Sequence, residues 1–137
     1  MVGLRESGAT ANPLLEFAFT TAESQGARVR AVRALASAAL ITHPTSAGHA
    51  DGSHEAEERA RLVAALEPWR TKFPEVSVVE QVTTGPAAHV LMSAATRSRL
   101  TVVGRRRHPS HLTWKLGPVA HAALHHLPCP VAVVPHG

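Results

Sequence analysis

The stretch Leu100–Gly137, LTVVGRRRHPSHLTWKLGPVAHAALHHLPCPVAVVPHG, decides the fold. It opens on a short apolar run, Leu100-Thr101-Val102-Val103, that stops at Gly104. A basic, proline-interrupted loop follows from Arg105 to Leu116, and Gly117-Pro118 opens a helical segment. Pro128-Cys129-Pro130 then leads into a second apolar run, Val131 to Val134. Strand, glycine-bearing loop, helix and strand make a βαβ unit, in which the helical crossover sets the two strands parallel. In such a unit the loop leaving the first strand's carboxyl end can present backbone N–H groups to an anion at the next helix N-terminus.

Upstream, the same alternation continues. Val2-Gly3-Leu4 reads as a first strand, followed by a helix over residues 11–25. Asn12 is placed at its N-cap, Pro13 at the first helical position and Gly26 at the C′ stop. Phe17 and Phe19 are expected in packing positions. Arg28 to Leu35 is the second strand, with Val29, Ala31 and Val32 among arginines. Thr42 to Ser53 is polar and rich in turn formers, so it reads as a surface loop ending in a Ser53 cap. The helix that follows carries Ala56, Ala60, Val63 and Leu66 inward and is limited by Pro68, with Trp69 and Phe73 sealing that end of the core. Val76 to Val82 is the third strand. Ala87, Val90, Leu91, Ala94 and Ala95 fall at i, i+3, i+4, i+7 and i+8, the cleanest helical stripe in the chain. Strands separated by helices throughout specify an α/β domain on a parallel sheet, with residues 1–137 forming one unit.

Composition fits that reading and excludes several functions. Aromatics make up only 4% of the chain, so the core must be built from Ala, Val and Leu. The single cysteine, Cys129, cannot form an internal disulfide and fits a reducing compartment, and no run approaches the about 20 apolar residues of a membrane span. A cytoplasmic protein is expected. The formal charge of +4 comes from scattered basic residues, of which only Arg105-Arg106-Arg107 cluster, without interleaved aromatics to stack on bases. Nucleic acid and membrane are therefore not expected as partners. No Gly-x-Ser-x-Gly elbow or other nucleophile motif is present, so no enzyme is expected. His43, His49 and His54 lack the regular spacing of a metal site. His121 and His125, one helical turn apart, are assigned a packing or surface role, and no metal is expected.

The C-terminal stretch resembles that of universal stress protein (UspA-like) domains. Their signature is a strand ending in Gly, two residues, a second Gly, nine residues, then Gly followed by Ser or Thr. Gly104 and Gly117 stand at the first and third positions, but Arg107 holds the second and Pro118 the Ser/Thr position. His121-Ala122-Ala123-Leu124-His125-His126-Leu127-Pro128-Cys129-Pro130-Val131 follows the family's tail closely. The resemblance implies an open five-stranded parallel sheet of order 3-2-1-4-5, Rossmann-like, with helices on both faces. It also implies an adenine nucleotide such as ATP in the crevice between strands 1 and 4. Its Asp after the first strand is missing here: Arg5 or Glu6 stands in its place, depending on the count. Carried over in this way, the site comprises Leu4, Glu6, Ala34, Gly104, Arg105, Arg107, Gly117 and Pro118.

Two departures bear on chemistry. Arg107 restricts a backbone that a glycine would leave free to approach phosphate, and Pro118 removes a hydroxyl and an N–H from the helix start. Against them, Arg105, Arg106 and Arg107 offer guanidinium forks suited to phosphate. Two functions stay open: a stress module binding a nucleotide or another phosphate anion weakly, and a ligand-free dimeric module that has lost the site. Val131-Ala132-Val133-Val134, apolar at every position and last in the sheet, is expected to pair with its copy in a homodimer, as the resemblance also implies.

Overall fold

The computed structural model describes residues 1–5, 9–36, 47–106 and 118–136. Five strands form one parallel sheet: β1 (Val2–Gly3), β2 (Val29–Leu35), β3 (Val78–Thr84), β4 (Thr101–Arg106) and β5 (Val131–His136). Their order is β3-β2-β1-β4-β5, the arrangement expected. The crossovers contain α1 (Asn12–Gln25), α2 (Ala47–Lys72), α3 (Ala87–Ala95) and α4 (Pro118–His126).

The two faces of the sheet bury different helices. On one, Leu14, Leu15, Ala18 and Phe19 of α1 and Leu62 and Leu66 of α2 pack with Val2, Leu4, Val29, Ala31, Leu35, Val82 and Val102. Trp69 and Phe73 close on Phe19, with ring centroids 5.9 and 5.6 Å from it, as the sequence indicated. On the other, α3 contributes Val90, Leu91 and Ala94, and α4 contributes Ala120 and Ala123, against Val32 and Val103. Gly3 lets α3 approach β1 closely, since a Cβ there would lie 2.7 Å from Leu91 Cδ2.

Several boundaries differ from the sequence reading, each for a physical reason. Helix α1 has Ala11, in a short 3-10 turn, at its N-cap, so Asn12 is its first residue; Gly26 ends it at φ 61° as expected. Helix α2 begins at Ala47, so Ser53 is interior, and Pro68 lies inside it instead of ending it. Ala64 and Pro68 are both exposed, so water can reach the carbonyl that the proline leaves unpaired. Phe17 is also largely exposed, while Phe19 is fully buried. Strand β3 starts and ends two residues later than expected, and Gly85 at φ 151° makes the turn after it. Strand β4 does not stop at Gly104. It runs on to Arg106, paired with β5 through Arg106↔His136. Strand β5 likewise includes Pro135.

The candidate anion crevice at the β1–β4 switch point

In an open parallel sheet, ligands bind beyond the strand carboxyl ends where the strand order reverses. Here that point lies between β1 and β4, paired through Val2↔Val102, with β2 on the far side of β1 and β5 on the far side of β4. The described crevice residues follow from strand register: Leu4 and Arg5 after β1, Ala34 near the end of β2, Gly104 and Arg105 in β4, and His136 at the end of β5. Glu6, Arg107 and Gly117 lie outside the described residues, and Pro118 is placed as the first residue of α4.

The β1–β2 side is held by charge. Arg33 of β2 breaks an otherwise apolar strand face and meets Glu58 of α2, with Nε and Oε2 2.7 Å apart in an ion pair that lacks hydrogen-bond alignment. Glu58 is only 4% exposed, and its second oxygen accepts from Arg61 at 2.6 Å. Arg33 also donates through Nη1 to the carbonyl of Arg5. This guanidinium thus ties the backbone just past β1 to both β2 and α2. Leu4 is spent on structure: its side chain is buried in the core, and its N–H donates to Val32 at 2.8 Å. Ala34, half-buried, stays within the β2–β3 ladder opposite Thr83.

The β4–β5 side is held by shape. A Cβ on Gly104 would lie 2.7 Å from His136 Cδ2 and Nε2 and 3.1 Å from Leu14 Cδ2. The missing side chain is therefore what lets the His136 ring and α1 close over β4. His136 Nδ1 is screened from solvent, with no hydrogen-bond partner among the described residues. Gly104 acts as a packing glycine inside a strand and not as the pivot of a loop.

Sequence reading missed Arg33, Glu58, Arg61 and His136. Arginine within the apolar run VRAVRAL was the available signal for the first. The pairing of residues 33 and 58 across two elements left no local trace. Among the described residues no three His, Cys, Asp or Glu side chains converge as a metal site, and no helix is long and apolar enough to cross a membrane.

The arrangement agrees with comparison to known proteins. The model of the Universal stress protein family matches residues 1–135. This chain belongs to the universal stress protein family. Among solved structures, universal stress protein UspA from Lactobacillus plantarum is similar at TM-score 0.76 and 16% identity, covering 97% of this chain and 95% of that one. A universal stress protein from Archaeoglobus fulgidus is similar at TM-score 0.74 and 18% identity, with coverage of 97% and 95%. Another Archaeoglobus fulgidus structure, of the universal stress protein in complex with dAMP, is similar at TM-score 0.67 and 19% identity, with coverage of 97% and 94%. At these identities the likeness is one of fold. No curated protein sequence matches this chain.

Proposed function

We propose that this universal stress protein is a non-catalytic, cytoplasmic stress-response module that binds an adenine nucleotide or another phosphate anion weakly at the β1–β4 crevice. One observation carries the reading: the two strands bounding the switch point each bring an arginine, Arg5 and Arg105, to their carboxyl ends. Guanidinium groups bind phosphate oxygens in a forked geometry and keep their charge at any physiological pH. The similar fold solved with dAMP makes adenine nucleotides the first ligands to test. Weak binding follows from the donors already committed. The Leu4 N–H is in the sheet, and the His136 ring and Leu14 fill the space beside Gly104. The remaining attraction comes from side-chain charge, which salt screens.

Thermal-shift titrations with ATP, ADP, AMP and inorganic phosphate test this. A ligand selective for the native state raises the melting temperature, and here the rise is expected to shrink as salt increases and in Arg105→Ala. No shift with any of the four at millimolar concentration would contradict the proposal.

The same spent donors favour a second reading, a dimeric module without a ligand. The Thr101 N–H donates to the Pro130 carbonyl, so alternate residues Ala132 and Val134 also face β4. Val131 and Val133 then turn their backbone groups outward, as does Pro135, whose missing N–H costs the ladder nothing there. The free edge is thus short and carries no charge from Val131 to Val134. Pairing with a second copy would satisfy it. A dimer by light scattering, converted to monomer by Val133→Pro, is the expected result. A dimer indifferent to that change would place the contact elsewhere.

A further inference from the structure

Away from the crevice, α4 carries an arrangement that the anion site does not use. The rings of His121 and His125, one turn apart on the helix, have centroids 4.4 Å apart at an interplanar angle of 52°. Both side chains are exposed, and Pro118–His126 contains no carboxylate to engage either ring. We propose that His121 and His125 form a two-imidazole chelate for a borderline divalent cation of the Cu2+, Ni2+ or Zn2+ class.

Spacing and distance both carry this. Residues at i and i+4 share a helix face, the spacing by which zinc-binding helices present paired histidines. A metal about 2.1 Å from a ring nitrogen lies about 3.2 Å from that ring's centre, so two rings bound at right angles have centres about 4.5 Å apart. The observed centroid separation of 4.4 Å matches this value, so rotation of the two rings suffices to turn a nitrogen of each toward one metal. Imidazole selects borderline metals over Mg2+ or Ca2+, and Cu2+ binds tightest among the first-row divalent ions. His125 lies in the last turn of α4, where the helix carbonyls favour positive charge. His126 is not part of the pair, its ring being 6.5 Å from that of His125. With two protein ligands the remaining positions fall to water, which makes this an exchangeable surface site and not a structural one. Because α4 runs back from the carboxyl end of β4 toward the start of β5, its C-terminal half lies toward the opposite end of the sheet from the crevice.

Copper(II) titration of the full chain by calorimetry, with electron paramagnetic resonance of the loaded protein, is the test. The expected result is one Cu2+ per chain with hyperfine coupling to two imidazole nitrogens and a copper-dependent rise in melting temperature. His121→Ala and His125→Ala should each weaken binding about tenfold or more, the loss of one arm of a chelate, while His126→Ala leaves it within about twofold. Circular dichroism checks that the variants fold. Absence of binding below millimolar copper would overturn the proposal. So would binding that persists in the His121→Ala/His125→Ala double variant and is carried by other histidines, such as His108 and His111.

Discussion

The two ends of the sheet treat polar groups differently. At the amino end the chain closes on itself. The Met1 amine donates to the Leu100 carbonyl at 2.8 Å, the Val102 N–H donates to Met1, and Thr101 Oγ1 meets Cys129 Sγ at 3.2 Å. Arg30 reaches the Ser98 hydroxyl at 3.4 Å. At the carboxyl end the described polar contacts are made across elements, from β2 to α2 and to the backbone past β1. Glu58 faces two guanidinium groups, Arg33 and Arg61, and His136 Nδ1 has no hydrogen-bond partner among the described residues. Open parallel sheets bind their ligands at the carboxyl end, and that is where the anion is proposed to bind.

The largest effect should come from breaking the charged side of the crevice. Glu58→Ala leaves the half-buried Arg33 without its counter-ion and should cost about 2 kcal/mol, measured as a shift in urea midpoint at unchanged m-value. A cost below about 1 kcal/mol would mean that water compensates Arg33 and that the triad is a surface feature.

Gly104→Ala comes next. The added methyl meets the His136 ring and Leu14, and overpacking of this kind costs about 1–2 kcal/mol. Combining it with His136→Ala should recover part of the loss, because the two side chains compete for one space. Additive losses in that double variant would remove His136 as the reason for the glycine.

The smallest effect probes the amino end. Burial is the main cause holding the Met1 amine below its ordinary value of 8.0, with Arg30 acting in the same direction and Cys129 opposing. A lowered folded-state value means that the unfolded chain binds more protons between that value and 8.0. Stability should therefore rise with pH through this window and level off above it. An N-acetylated chain, which cannot titrate there, should lack this component in matched unfolding curves. Identical pH profiles for the two would show that the amine is solvated.

The sequence made the fold legible because its strongest signals are local. Of the stripe Ala87, Val90, Leu91, Ala94 and Ala95, all but the exposed Ala87 are buried, and Gly26 adopts the left-handed conformation that its place after α1 requires. Ala56 and Ala60, read as facing inward, are exposed on α2, and two further errors lie where a local stop signal met tertiary support. Pro68 sits on an exposed helix face, and Gly104 is carried through β4 by pairing with Val134. The site was less legible for the same reason. Arg33 and Glu58 are joined across the fold, and the use of Gly104 depends on a residue 32 positions later, so neither leaves a spacing motif. Glycine at the end of a strand reads alike whether it admits a phosphate or a ring.

Amide chemical-shift mapping during ATP titration tests most directly whether the carboxyl end is the ligand side. The account predicts fast-exchange shifts concentrated at Arg5, Ala34, Arg105 and neighbouring strand ends, weakening with added salt, while Ser98, Leu100 and Cys129 stay still. Shifts centred on the amino end, or none at millimolar ATP, would contradict it.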